Sequence, residues 1–253
     1  MLALRALRLR RRDSPKAYEL SQLALKAASP SPTLCGARAI VLAAAGGFDD
    51  AIVEGKKALA LRDDAARRCM LGKLLAAANR PGDAVPHLEE ALRRDSGYWP
   101  AHQVLAALLL PTDPEKGGQH LEAAERIAPD EAPVLMLRAL RELQDNKPEA
   151  AIPLLRQALA RQPSPQSSLL LYQALALTGR TEELAQLRAR LLEQSGPSRR
   201  QIEQTLQAID EKLKAAHDGS EGDADKASNA DDAAPPTAPR VPQLKLPDVK
   251  LGK

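Results

Sequence analysis

A short pattern of residues recurs along the chain at almost constant spacing. Five positions with a small or aliphatic side chain are separated by 33, 33, 34 and 33 residues: Ala51, Ala84, Gly117, Ala151 and Leu184. Seven residues after each of them stands another residue of the same kind: Ala58, Ala91, Ala124, Ala158 and Leu191. A fixed period of this length indicates that copies of one supersecondary unit are stacked along the chain.

Turn and helix-start residues follow the same period. Five residues before four of the small positions stands a residue that tolerates left-handed backbone: Gly46, Asn79, Asn146 and Gly179. In the three middle units a proline follows the turn: Pro81, Pro114 and Pro148. A proline costs no hydrogen bond in the first turn of a helix. Each unit is therefore predicted to be two antiparallel helices joined by a short turn.

The composition favours helices over sheets. Hydrophobic residues make up 44% of the 253 residues, but aromatic residues make up only 2%. The core therefore has to be built from Ala and Leu, whereas β-sandwiches and barrels depend on β-branched and aromatic residues. We expect an all-α chain of one or two domains.

The repeat resembles that of the tetratricopeptide-repeat (TPR) family. That family has a small and a large apolar residue on the first helix, two small residues seven apart on the second helix, and a closing proline. The second and fourth units match best, through Gly72, Ala84, Ala91, Leu75 and Leu88, and through Ala139, Ala151, Leu155, Ala158 and Pro163. The resemblance implies a right-handed superhelical solenoid of antiparallel helix pairs, and a non-enzymatic scaffold for protein interactions.

The repeat divides the chain into segments. Five TPR-like repeats are predicted at 32–64, 65–97, 98–131, 132–164 and 165–198. The third and fifth depart most from the pattern, the fifth through Tyr172 at a position that is small in most units. Residues 1–29 are predicted to be a truncated N-terminal repeat or an arm, and residues 198–216 an amphipathic capping helix. Residues 217–253 are predicted to be a disordered acidic and proline-rich tail that ends in a short basic and apolar motif.

The net charge of +3 is unevenly distributed. Residues 1–12 carry five arginines and no acid, residues 217–239 are acidic, and residues 13–216 carry equal numbers of acids and bases. The repeats therefore lack the basic excess that a phosphate backbone requires, and we expect no nucleic acid partner. No apolar run is long enough to span a membrane. The chain is expected to be cytoplasmic, or periplasmic or envelope-associated if the true start lies upstream of Met1.

No pattern of residues typical of an enzyme or a cofactor site is present. The two cysteines, Cys35 and Cys69, are too few for a disulfide framework or a zinc site, and Cys69 is expected to be a small apolar core group. His87 and His120 occupy equivalent positions in adjacent repeats, so their imidazoles could approach each other across the stack. Because no third ligand follows the same register, we expect no metal and no cofactor.

The TPR resemblance implies that the first helices of the repeats line a concave surface that binds a partner. The candidate partner-binding residues on these helices are Ile40, Lys73, Trp99, His102, Leu109, Met136, Leu140, Leu169 and Gln173. They form a mostly apolar set, which favours an amphipathic helix or an extended apolar peptide as the ligand. An alternative that remains open is that Trp99 and Met136 are core residues between repeats.

Two functions are consistent with these patterns. The first is a protein-interaction scaffold or adaptor that binds a partner helix or peptide. The second is an accessory protein of a membrane or envelope assembly or secretion complex. In the second case residues 1–12 would contact anionic lipid at the membrane surface as a basic arm.

Overall fold

A computed structural model describes residues 30–194 and 199–227, and their side chains over 30–193 and 199–215. All regular structure in these residues is helical. Eleven helices are present there: α1 Pro32–Ala44, α2 Phe48–Leu61, α3 Ala65–Ala77, α4 Pro81–Arg94, α5 Trp99–Leu109, α6 Pro114–Ile127, α7 Ala132–Gln144, α8 Pro148–Arg161, α9 Pro165–Leu177, α10 Thr181–Gln194 and α11 Arg199–Ala227. The predicted all-α fold of successive helix pairs is confirmed.

The chain divides into two compact units, with the boundary between Ala128 and Pro129. In the first unit α1 packs on α2, α3 on α4 and α5 on α6, and α1, α3 and α5 also contact one another in sequence order. In the second unit α7 packs on α8 and α9 on α10, while α11 contacts both α9 and α10.

Left-handed residues end the first helix of four pairs. Asn79 and Asn146 both have a φ of 58°, and Gly46 and Gly179 have φ values of 85° and 67°. The N–H that follows this residue bonds back into the last helical turn, as from Arg80 to the Leu75 carbonyl at 2.9 Å. The turn chemistry predicted from Gly and Asn is therefore present.

The third pair makes its turn differently, because Thr112 stands where the others have Gly or Asn. Helix α5 ends early, at Leu109, and the Asp113 N–H donates to the Leu109 carbonyl at 2.7 Å. Gly117 on α6 then lies directly against the end of α5. A Cβ added at Gly117 would lie 2.5 Å from the backbone nitrogen of Leu110. The glycine at this repeat position, where the other units have Ala or Leu, is thus required by the close contact of these two helices.

The small residues of the second helices lie where the helices of a pair meet. In the first unit these residues have no exposed surface: Ala51, Ala58, Ala84, Ala91 and Ala124. Leucines from both helices of a pair fill the remaining space, and Leu71, Leu88 and Leu105 are likewise fully buried. Close approach on alanine explains how an all-helical core is built with so few aromatic residues.

The end of the second unit departs from this pattern. Tyr172 on α9 is 1% exposed and packs with Leu206 and Ile209 of α11. The capping helix was predicted over residues 198–216, whereas α11 extends from Arg199 to Ala227 and so includes residues assigned to the tail. Continuing an existing helix requires no new nucleation, which explains the extension. Residues 1–29 and 228–253, with the predicted arm and most of the tail, lie outside the described residues.

Candidate partner-binding site

Five of the predicted binding residues lie in the first unit, on α1, α3 and α5, the first helices of three successive pairs: Ile40, Lys73, Trp99, His102 and Leu109. All five keep some exposed surface. Lys73 is exposed, and the other four are half-buried. We call these five residues the Trp99 face.

Trp99 is the first residue of α5 and is half-buried. Its backbone N–H donates to the Gly97 carbonyl at 2.8 Å, in the turn that leads into the helix. The preceding residue, Tyr98, packs against the hydrophobic core of the first unit, as does Leu109 at the other end of α5. The structure therefore leaves part of Trp99 accessible at one end of α5.

Lys73 brings a positive charge to this face. Its side chain is exposed, and no carboxylate of the described residues forms an ion pair with it. Burial raises the pKa of the Cys69 thiol one turn earlier, and the Lys73 charge opposes that shift. Cys69 is 1% exposed, so it is a buried neutral thiol at neutral pH, as expected of a small apolar group.

The histidines pair differently from the prediction. His87 lies 3.4 Å from Arg68, measured from Nδ1 to Nη1. His120 instead faces His102 of its own repeat, with 3.0 Å between the two Nδ1 atoms. His87 and His120, whose repeat positions would allow an approach, do not pair with each other; each contacts the first helix of its own repeat. No cluster of three or more His, Cys, Asp or Glu side chains able to hold a metal ion occurs among the described residues.

The second unit contains the other four predicted residues. Met136 and Leu140 on α7 are half-buried and pack against the hydrophobic cluster formed by α7, α8 and α9. Leu169 and Gln173 on α9 are only 2% and 6% exposed. Leu169 belongs to the cluster with Leu206 and Ile209 of α11. We therefore leave Leu169 and Gln173 out of the site, since α11 packs on the helix that carries them.

A polar network that was not expected from the sequence joins α9, α10 and α11. The Tyr172 hydroxyl donates to Asp210 Oδ1 at 2.9 Å, and Arg188 Nη1 donates to Asp210 Oδ2 at 2.8 Å and to the Tyr172 oxygen at 3.2 Å. Burial, and then the hydrogen bond to Asp210, raise the pKa of Tyr172. The available signal was a bulky tyrosine at a repeat position held by Gly72 and Ala139 in other units.

None of the helices in the described part of the chain has the length and apolar character needed to span a membrane.

No family model and no curated protein matches this chain. Several solved structures match this chain. The thermophilic TPR protein TTC0263 of Thermus thermophilus is 22% identical with a TM-score of 0.59, and the match covers 70% of this chain and 98% of that one. PilW, a type IV pilus biogenesis factor, is 18% identical with a TM-score of 0.57, over 76% of this chain and 91% of that one.

Human IFIT1, solved as a dimer with m7Gppp-AAAA, is 17% identical with a TM-score of 0.60, over 72% of this chain and 47% of that one. At these identities the likeness concerns the fold. Together with the helix pairs, the left-handed turns and the fully buried small residues, it shows that this chain has the tetratricopeptide-repeat fold.

Proposed function

We propose that this protein is a non-enzymatic interaction scaffold that binds an amphipathic helix or an extended apolar segment of a partner protein on the Trp99 face. The observation that carries the proposal is that Trp99 is half-buried. It lies on α5 with Leu109, and α3 connects this helix to α1, which carries Ile40. Each of these apolar side chains still has surface to lose on binding.

Two contributions to the binding free energy favour a partner site at the Trp99 face. Tryptophan is among the residues that contribute most to binding when a partner covers them. The helices of the first unit pack through fully buried alanines and leucines, so the face is formed before the partner arrives and little order has to be gained on binding. The exposed Lys73 ammonium adds a charge that disfavours a basic partner segment and favours one with a carboxylate.

The titratable groups support a binding role more than a catalytic one. Among the described residues, groups whose pKa values are shifted by burial occur in both units: Cys35, Cys69, His87, Tyr98 and His120 in the first, and Tyr172 in the second. Burial is the main cause of each of these shifts. A catalytic site normally gathers such groups around one reacting centre.

The experiment is a selection of peptides from a displayed library on the full chain, followed by affinity measurements. Trp99 is the only tryptophan, so its fluorescence reports directly on what happens at this face. Selected peptides should shift the Trp99 emission and should lose most of their affinity for Trp99→Ala. The matched control is Val53→Ala, which shortens an exposed apolar side chain on α2.

Equal affinity of both variants, with unchanged Trp99 emission on peptide addition, would place the binding site elsewhere and overturn the proposal. Met136 and Leu140 of the second unit are tested in the same assay. We propose them as apolar contacts of the second unit by itself, and Met136→Ala should then weaken binding while the protein stays folded at the assay temperature.

We propose a second function as the alternative, an accessory role in a membrane or envelope assembly. It is favoured by the five arginines of residues 1–12 and by the similar fold of PilW, which is a pilus biogenesis factor. Flotation with anionic liposomes tests it, comparing the full chain with one that lacks residues 1–12. Flotation of only the full chain would support this role, and retention of both in solution would exclude the lipid contact.

A further inference from the structure

His102 and His120 meet end to end. Their Nδ1 atoms are 3.0 Å apart, while the ring centroids are 5.3 Å apart and the ring planes are tilted by 45°. The centroid separation is close to the largest that this nitrogen distance allows, so the two nitrogens point at each other. That is the geometry of a direct N–H···N hydrogen bond. Two imidazoles bound to one metal ion at about 2.0 Å would converge at an angle instead.

The turn before α5 fixes which histidine donates. His102 Nε2 lies 3.1 Å from the Ser96 carbonyl oxygen, which can only accept a hydrogen bond. His102 Nε2 therefore carries the hydrogen, and in the neutral ring its Nδ1 is a bare lone pair. It follows that His120 Nδ1–H is the donor between the two rings. Through these two bonds His102 links the turn, α5 and α6.

We propose that the His102–His120 pair is a pH-sensitive latch that holds the start of α5 against α6 and thereby controls how Trp99 is presented to a partner. The proposal rests on the binding role of the Trp99 face. The latch holds with both rings neutral. It also holds with one added proton on His102, because the His120 hydrogen can then shift from Nδ1 to Nε2. With both rings protonated, two N–H groups face each other across 3.0 Å and the hydrogen bond is lost.

The surroundings resist the second proton. Burial lowers the pKa of His120 below its ordinary value of 6.5, and His102 lowers it further. Glu89 on α4 acts in the opposite direction. Helix α5 contains no titratable residue apart from His102.

Two helices packed against α5 carry further charged side chains. On α3, Arg68 is paired with Asp63, and Lys73 is unpaired among the described residues. On α6, Lys116 is paired with Asp113, and Glu122 is exposed.

The lowered pKa of His120 determines how stability changes with pH. Below pH 6.5 the unfolded chain binds a proton at His120 that the folded chain resists, so stability falls as the pH drops. The loss stops once the pH is below the pKa of the folded state.

The first measurement is made on the full chain without any partner. Nitrogen-15 NMR of the imidazoles at about pH 7.5 should show hydrogen on Nε2 of His102 and on Nδ1 of His120. Trp99 fluorescence, followed from about pH 7.5 down to pH 5, should show one transition. His102→Gln and His120→Gln should remove this transition.

The control is His87→Gln. His87 occupies the same repeat position as His120 and its pKa is also lowered by burial, but it faces Arg68. His87→Gln should keep both the fluorescence transition and the NMR pattern of the pair. A transition that persists in His120→Gln, or a neutral His102 ring with its hydrogen on Nδ1, would overturn the latch.

The second measurement separates the latch from the proposed function. A peptide selected on the wild-type chain should bind more weakly at about pH 5 than at pH 7.5, and His120→Gln should reduce this ratio to near one. If peptides bind elsewhere while the free protein still shows the transition, the binding proposal fails and the latch stands. Pairing by hydrogen bond also predicts that adding Ni²⁺ or Cu²⁺ leaves the NMR pattern unchanged. A shift with either metal would replace the latch with a metal site.

Discussion

The Tyr172 hydroxyl lies 2.9 Å from Asp210 Oδ1 and joins the first helix of the last repeat to α11. Tyr172 is 1% exposed, and its ring packs with Leu206 and Ile209 of α11. A residue that departs from the repeat pattern is therefore the one that fixes the capping helix. The polar network and the apolar contact together close the end of the second unit.

Tyr172→Phe should lower the free energy of unfolding by about 1–2 kcal/mol, because it removes the partly buried hydrogen bond to the Asp210 carboxylate and the one that Arg188 donates to the hydroxyl. Urea unfolding followed by circular dichroism measures the loss. Tyr98→Phe is the matched control, since the Tyr98 hydroxyl has no hydrogen bond with the described residues. Equal losses in the two variants would show that the contact between Tyr172 and Asp210 does not stabilise the protein.

Gly117→Ala should destabilise the first unit by about 2–4 kcal/mol, because the new Cβ would collide with the backbone of Leu110 and force α5 and α6 apart. Gly118→Ala, one residue along the same helix, meets nothing within 4 Å. Alanine is the better helix former, so this control should gain up to about 1 kcal/mol. Thermal and urea unfolding of the two variants should therefore change in opposite directions. A shared direction would contradict the close contact.

Asn79→Gly should be tolerated, whereas Asn79→Ala should cost about 1 kcal/mol, because Asn79 has a φ of 58° that alanine resists. Urea denaturation measures both changes. Asn146 has the same φ in the second unit, so the same pair of substitutions there should give the same order. Alanine equal to glycine at both positions would show that these turns do not depend on left-handed backbone.

The repeat made the helix pairs predictable, because turn residues and small contact residues return at fixed spacing. Contacts that occur in one unit only cannot be predicted from the repeat. His120 and His87 occupy the same repeat position, yet the structure pairs His120 with His102 on the other helix of its own repeat. The repeat position of Leu169 predicts that it lies on the binding surface, but α11 packs against it. The last helix pair of the repeat has no following pair to pack against, and α11 packs there instead.

Binding of a partner segment on the Trp99 face is the central claim, and hydrogen exchange of the full chain with and without a selected peptide tests it most directly. Binding on the Trp99 face should slow exchange over α1, α3 and α5 on peptide addition, with little change over the paired second helices α2, α4 and α6. This pattern should disappear in Trp99→Ala and remain in Val53→Ala. Protection confined to the second helices, or the same protection in Trp99→Ala, would contradict the account.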